Sequence, residues 1–290
     1  MDKNDHEKVK DTGSTNNAKQ QLTKIWNGKP CHVVKARIGR YAVHHGSFHT
    51  LEPSQYVNDE VMHTYLKLLS NIQGDTYAMV SQTLSCILSH TAAEKHSHFL
   101  SKESLSMYQY IGGCYNKNGN HWVFITVHLE HKYFARGAFT AVKNYFKKRS
   151  ELLGKDYVDI CKFELKQLKK RIQYDTYNCG VYCIKMAEQL FLSGNIDENI
   201  LCSLNTTQAR VDIGVTLLSH SVDMSERCIM CGASENSLIH PQYVHWIRCD
   251  NCWQWTHTIC MNMKPEDAGR VERFQCHECF QNLYKINDFE

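Results

Sequence analysis

The sequence predicts an α+β domain over residues 26–220, followed by a small cysteine-dense module over residues 228–282. Two observations carry that reading. Apolar residues fall at helical spacing in some segments and in β-branched runs in others, in irregular order, which suits α+β architecture better than a doubly wound sheet. Fourteen cysteines are the one abnormal number in a chain of 290 residues, and seven of them crowd into its last quarter. The remaining composition, 22% charged and 42% hydrophobic, is that of an ordinary globular protein and excludes wholesale disorder. A formal charge of +3 does not indicate nucleic acid as a partner. The longest nearly unbroken apolar run, residues 122–129, is far short of the roughly 20 residues a membrane helix needs, so no membrane partner is expected. The polar start Met1-Asp2-Lys3-Asn4-Asp5 does not read as a secretory signal.

Residues 1–25 are rich in Lys, Asp, Asn, Thr and Gln without an apolar period, and are expected to form a flexible tail. Two β-like pieces follow, Cys31-His32-Val33-Val34 and Tyr41-Ala42-Val43. Asn58 is a candidate N-cap for a helix whose first turn holds Asp59 and Glu60, acids that suit its positive end. Val61, Met62, Tyr65, Leu66 and Leu69 give that helix its buried stripe, and a second helical stretch runs from Met79 to Leu88. Residues 122–129 read as a β-branched strand. Phe139, Val142, Tyr145 and Phe146 mark a helix with Lys143, Lys147, Lys148 and Arg149 on its other faces. Val181, Ile184, Ala187, Leu190 and Phe191 form the stripe of a helix that begins near Cys179. Thr206 to His220 reads as a closing helix, and residues 221–227 as a linker.

The clustered cysteines have a metal-ligand rhythm: Cys228-x-x-Cys231, Cys249-x-x-Cys252, His257-x-x-Cys260 and Cys276-x-x-Cys279. Two residues between ligands let a tight turn aim both side chains at one ion, and tetrahedral zinc takes two such pairs. Eight ligands therefore predict two structural zinc ions. The order, four cysteines, a histidine and three cysteines, with Trp255 two before His257 and Phe274 two before Cys276, resembles a PHD finger over residues 226–282. That resemblance implies a cross-brace. Cys228, Cys231, His257 and Cys260 would share one zinc, and Cys249, Cys252, Cys276 and Cys279 the other. It also implies a histone tail as partner and a nuclear location, with the cytoplasm as a second compartment. Trp246 and Trp255 match two positions of a methyl-lysine cage, and Asp250 could pair with a tail arginine. Packing of the small core by both tryptophans is the competing reading. The stretch after Cys231, Gly232-Ala233-Ser234-Glu235, offers no aromatic wall.

Cys179-Gly180 lies at a predicted loop-to-helix junction, where a helix N-terminus lowers a thiol pKa and supplies a thiolate. His121 immediately precedes the strand that starts at Trp122. The pair His121-Trp122, then Gln173 six residues before Cys179-Gly180, resembles the ubiquitin-like protease family, the SUMO-deconjugating cysteine peptidases. Tyr56-Val57-Asn58-Asp59 resembles that family's Trp-Leu-Asn-Asp signature, and the resemblance spans about residues 35–220. It implies a papain-like fold, Cys179 as nucleophile and His121 as base and then acid. It further implies Gln173 as an oxyanion donor beside the Cys179 N–H. Trp122 and Gly180 would line a tunnel for the Gly-Gly tail of a ubiquitin-like modifier.

One element of the family pattern is missing. The family places an aspartate on the strand beside the His-Trp strand, about seventeen residues beyond the histidine, yet no aspartate occurs between His121 and Asp156. Three readings stay open: a lost acid with impaired catalysis, a substitute among Glu130, Asp156 and Asp159, or a variant lacking a short piece. An impaired homologue would act as a modifier- or histone-binding protein. Residues 132–171 hold twelve Lys or Arg against four acids, which is a docking face for an acidic modifier or a solvated helical face.

Overall fold

The computed structural model describes residues 12–88, 100–128, 133–134, 139–153, 164–165, 172–234 and 245–284. Two compact units divide it: residues 1–52 with 210–290, and residues 53–209.

The first unit begins with α1 (Thr12–Asn27), where composition predicted a flexible tail. Ala18, Leu22 and Ile25, spaced four and three residues apart, put one face of an otherwise polar helix into the core. With Trp26, four apolar side chains among sixteen residues are too sparse to stand out as a period, which is why the helix was not legible. Its packing is close: a Cβ at Gly214 would lie 2.8 Å from Leu22 Cδ2. β1 (Val34–Ile38) and β2 (Tyr41–His44) form an antiparallel hairpin, followed by the short α2 (His45–Phe48).

The second unit opens with α3 (Asp59–Gln73), capped as expected by the Asn58 side chain, which accepts from Val61 N. β3 (Thr76–Met79) precedes α4 (Ser81–Leu88). β4 (Tyr110–Lys117), β5 (His121–His128) and the two-residue β6 (Tyr133–Phe134) come next. α5 (Phe139–Leu153), β7 (Glu164–Leu165), α6 (Cys179–Ser193) and α7 (Glu198–Cys202) complete the unit. The strands form one sheet in the order β3-β4-β5-β6-β7, parallel at β3–β4 and β6–β7 and antiparallel between. Ile111, Ile125 and Val127 of the sheet pack with Leu84 and Ile87 of α4 and Val142, Tyr145 and Phe146 of α5.

Helix α8 (Thr206–Ser219) returns the chain to the first unit. The buried guanidinium of Arg210 there donates to the carbonyls of Thr50 and Glu52. The start of the expected linker, residues 221–227, is fastened to the hairpin at Ser221 and Val222. Val222 N donates to Arg37 O at 3.0 Å, and Arg37 N donates to Ser221 Oγ at 3.0 Å. The terminal module contains the hairpin β8 (Trp246–Arg248) and β9 (Trp255–His257), then α9 (Pro265–Ala268) and α10 (His277–Tyr284).

This module shares a core with the N-terminal hairpin: Cys31 and Val33 pack with Ile229, Cys249, Phe274 and Cys276. Val34 N donates to Ile229 O at 2.6 Å, and Lys35 Nζ pairs with Glu278 at 2.6 Å. Arg37 donates to the carbonyl of Cys231 at 3.1 Å. The module is thus fused to the hairpin by apolar burial and backbone bonds.

Deleting the Leu22 side chain tests whether α1 is part of the core. Leu22→Ala should destabilise the protein by about 2–5 kcal/mol in chemical denaturation. An unchanged midpoint would mean that residues 12–27 carry no folding energy.

Candidate functional site

The N-terminus of α6 meets the start of β5 inside the second unit. Cys179 is buried, and its Sγ accepts a hydrogen bond from the Trp122 backbone N–H at 3.4 Å. Trp122 is itself buried and donates its indole N–H to Val57 O at 2.6 Å. Gly180 fits between the two: a Cβ there would lie 2.8 Å from Val57 Cβ and 3.1 Å from Trp122 Cδ1. Only a hydrogen atom can occupy that space, so the glycine is required by packing. Cys179, Gly180 and Trp122, expected together from sequence, are brought together.

The charge state of Cys179 differs from the expectation of a lowered pKa. Burial raises the thiol, and Cys183 one helical turn along pushes the same way. The N–H groups of Trp122, Gly180 and Cys179 favour the thiolate but do not overcome burial, so the thiol sits above its ordinary value.

His121 heads β5 on the exposed side, and its backbone N–H donates to Asn116 Oδ1 at 3.0 Å. Among the described residues, no carboxylate and no thiol hydrogen-bonds its ring. β6 supplies the geometric reason. It pairs with β5 only at Val127 and His128, and the same register carried to His121 would need residue 140, which already belongs to α5. Glu130, Asp156 and Asp159, the substitute acids considered above, lie outside the described residues, as does most of the basic stretch.

Gln173 is turned toward Asp175: its Nε2 donates to Asp175 O at 2.9 Å and to Asp175 Oδ1 at 3.2 Å. The same carboxylate accepts from the backbone N–H of Tyr177 and Asn178 and from the Asn178 side chain. Its partial burial opposes ionisation, but these donors win and hold Asp175 below the usual carboxylate range. Sequence reasoning assigned no role to Val57, Asp175 or Asn178. The Asp-x-x-Asn spacing ahead of a helix is a turn signal that points to the last two.

In the first unit, the ligand atoms of Cys228, Cys231, His257 and Cys260 lie within 4.8 Å of one another, as do those of Cys249, Cys252, Cys276 and Cys279. This is the cross-braced pairing the sequence implied. Cys231 Sγ and Cys260 Sγ stand 3.4 and 3.6 Å from His257 Nδ1, and Cys252 Sγ stands 3.6 Å from Cys276 Sγ. A tetrahedral zinc with ordinary Zn–S and Zn–N bonds needs ligand separations of about 3.6–3.8 Å, so both sets fit. Backbone N–H groups of His257 and Cys276 donate to Cys228 and Cys249 sulfurs at 3.3 Å each. The thiols ionise unevenly without a cation. A hydrogen bond from Cys231 is the largest influence drawing Cys228 down, to about 5, whereas burial and then the neighbouring backbone and sulfur groups leave Cys276 at about 12. Four crowded sulfurs ionise together only around a metal.

Trp246 and Trp255 lie on one face of the β8–β9 hairpin and line an open groove with Asp223, Glu226 and Arg227. The Trp246 ring meets His257 edge-on at 4.0 Å, and the Arg248 guanidinium lies 5.3 Å over the Trp255 ring. Asp250 is not part of that groove; its carboxylate accepts the Phe274 N–H at 2.6 Å and holds the chain between two ligand pairs.

A mixed α+β sheet with a cysteine at a helix N-terminus, in a chain that also carries two cross-braced Cys/His clusters, defines the class. No family model and no curated protein matches the chain. Solved structures do. The C-terminal Ulp1 protease domain, in complex with Smt3, the yeast ortholog of SUMO, superposes with a TM-score of 0.57 at 16% identity, covering 70% of this chain and 95% of that one. Ulp1 with its catalytic cysteine oxidised to a sulfenic acid gives 0.56 at 17% identity, covering 70% and 94%. A de-sumoylating protease gives 0.51 at 14% identity, covering 61% and 86%. The chain therefore has the fold of the Ulp1 SUMO protease, with a candidate two-zinc module.

Gly180→Ala should cost roughly 1–3 kcal/mol by overpacking Val57 and Trp122. The check is a denaturation midpoint; an unshifted one would contradict the packing. Stripping zinc with a strong chelator should unfold the terminal module. Amide exchange at Val34, whose N–H bonds Ile229, should rise with it; protection unchanged there would mean the hairpin does not depend on the metal.

Proposed function

We propose that this protein is a cysteine peptidase that cleaves SUMO-like or other ubiquitin-like modifiers from their conjugates or precursors. The observation that carries the reading is Cys179, seated at the α6 N-terminus against Trp122 and Val57 on a Ulp1-type fold. The modifier class rests on the Ulp1 domain having been solved with Smt3. Cys179 attacks the carbonyl carbon of the last glycine of the Gly-Gly tail, its proton passing to His121. The tetrahedral oxyanion is met by the Cys179 N–H, and by Gln173 once its N–H₂ turns from Asp175. His121 then protonates the departing lysine amine, and water hydrolyses the thioester by the reverse proton path. Trp122 and Gly180 line the channel for the tail.

The raised Cys179 thiol makes base assistance necessary at neutral pH. Because its pKa is raised, the thiolate fraction is small at pH 7 and grows as pH climbs through and above the ordinary thiol range. Cleavage should accelerate over that window, and a rate that is flat or falls there would contradict the assignment.

The second reading is a modifier-binding protein without turnover, favoured by a His121 ring that no described carboxylate orients. Loss of the orienting acid costs on the order of 10⁴ in the serine-peptidase template. Hydrolysis of C-terminal reporter conjugates of SUMO and ubiquitin separates the two. The peptidase reading expects release that Cys179→Ser abolishes. Binding without release supports the second, and neither binding nor release overturns both.

The terminal module is a PHD-type finger in this proposal, placing the peptidase at chromatin in the nucleus. The groove of Trp246 and Trp255 with Asp223 and Glu226 supports a cationic histone tail as its partner. Trp246→Ala should weaken binding to an array of histone peptides by more than tenfold. The absence of binding by the zinc-loaded wild-type protein to every peptide would remove this part.

A further inference from the structure

Three helices of the second unit show two different treatments of their N-caps. At α3, Asn58 is extended (φ −85°, ψ 175°) and its side chain accepts from Val61 N. At α7, Asp197 is also extended (φ −91°, ψ 107°) and accepts from Asn199 N and Ile200 N. At α6, which carries Cys179, the cap residue is again an asparagine, yet Asn178 makes no side-chain cap and is not extended (φ −90°, ψ 6°). Its amide is drawn backward: Nδ2 donates to Asp175 Oδ2 at 2.8 Å and to Thr206 Oγ1 at 3.3 Å. The Asp175 carboxylate also holds the Asn178 backbone N–H at 2.8 Å, so both ends of the residue are fixed by one group. Asn178 is 3% exposed, which leaves its side chain little freedom to turn elsewhere.

The consequence falls on the first turn of α6. A cap side chain would accept the N2 or N3 amide and fill the space in front of the helix end. With Asn178 withdrawn, that end faces the Cys179 sulfur, which the Gly180 and Cys179 N–H groups approach. The helix terminus is left open to an anion.

Resting on the reading of Cys179 as nucleophile, we propose that Asp175 is a positioning residue that holds Asn178 off the α6 N-terminus, keeping its amides for the Cys179 thiolate and the oxyanion formed beside it. Asp175 touches neither substrate nor sulfur and acts through Asn178. Its backbone carbonyl and its carboxylate both accept from Gln173 Nε2, at 2.9 and 3.2 Å, so Asp175 also sets the orientation of that amide.

The test is site-resolved alkylation of Cys179 by iodoacetamide, followed by mass spectrometry across a pH series, on the zinc-loaded full chain. It needs no modifier, so it stands even if no ubiquitin-like substrate is cleaved. Asn178→Ser and Asn178→Ala both lose the Asp175 and Thr206 contacts, but only serine can cap the helix. Asn178→Ser should slow alkylation roughly tenfold and move its pH profile upward, the loss of one charge-assisted hydrogen bond to the thiolate. Asn178→Ala should stay within about twofold of wild type. Asp175→Asn keeps an oxygen for the backbone turn but sets an N–H₂ against Asn178 Nδ2. It should release Asn178 and slow alkylation similarly, and Asp175→Asn with Asn178→Ala should restore the rate. Equal rates for the serine and alanine variants, or a double variant no faster than Asp175→Asn, would overturn the proposal. Should Asp175→Asn fail to fold, the serine–alanine contrast decides alone.

Discussion

The second unit depends on one contact, the seating of the α6 N-terminus on the first residues of β5. Trp122 makes it from both ends: its backbone N–H meets the Cys179 sulfur and its indole N–H meets Val57 O. Gly180 closes the contact because no side chain fits between Val57 and Trp122. Three chain segments far apart in sequence thus locate one sulfur atom. The same closure that locates it also desolvates it, so the thiol is harder to ionise than an exposed one.

The zinc module answers a different constraint. A segment with few apolar residues cannot hold a fold by burial alone, and its two Cys/His clusters are sites where a metal would supply what the core lacks. What apolar surface it does have is completed by Cys31 and Val33 of the N-terminal hairpin. The hairpin and the module thus share one core, and Ser221 and Val222 are bonded along β1 beside it.

Much of this was legible because it was written in local spacing. The eight ligands, the Asn58 cap, the β-branched run of β5 and the stripe of α6 each sit in a short window. The elements that were not legible are those that tertiary contacts decide. α1 buries only Ala18, Leu22 and Ile25, and β4 contains Gly112 and Gly113, which weaken any strand signal. Those glycines are there for close approach: a Cβ at Gly113 would lie 2.6 Å from Met79 O, and one at Gly112 would lie 3.1 Å from Phe191. Asp250 was read as facing a ligand, but its backbone partner Phe274 lies 24 residues on. The sign of the Cys179 shift was equally out of reach, since burial cannot be read from a motif.

The central claim is that Cys179 is the nucleophile of a ubiquitin-like-modifier peptidase. The most direct measurement is intact-mass and peptide mapping after incubation with SUMO or ubiquitin carrying a C-terminal electrophile. The account predicts a single adduct, on Cys179, that Trp122→Ala reduces strongly and that denaturing the protein beforehand abolishes. An adduct on another cysteine, or no adduct with either modifier, would contradict it.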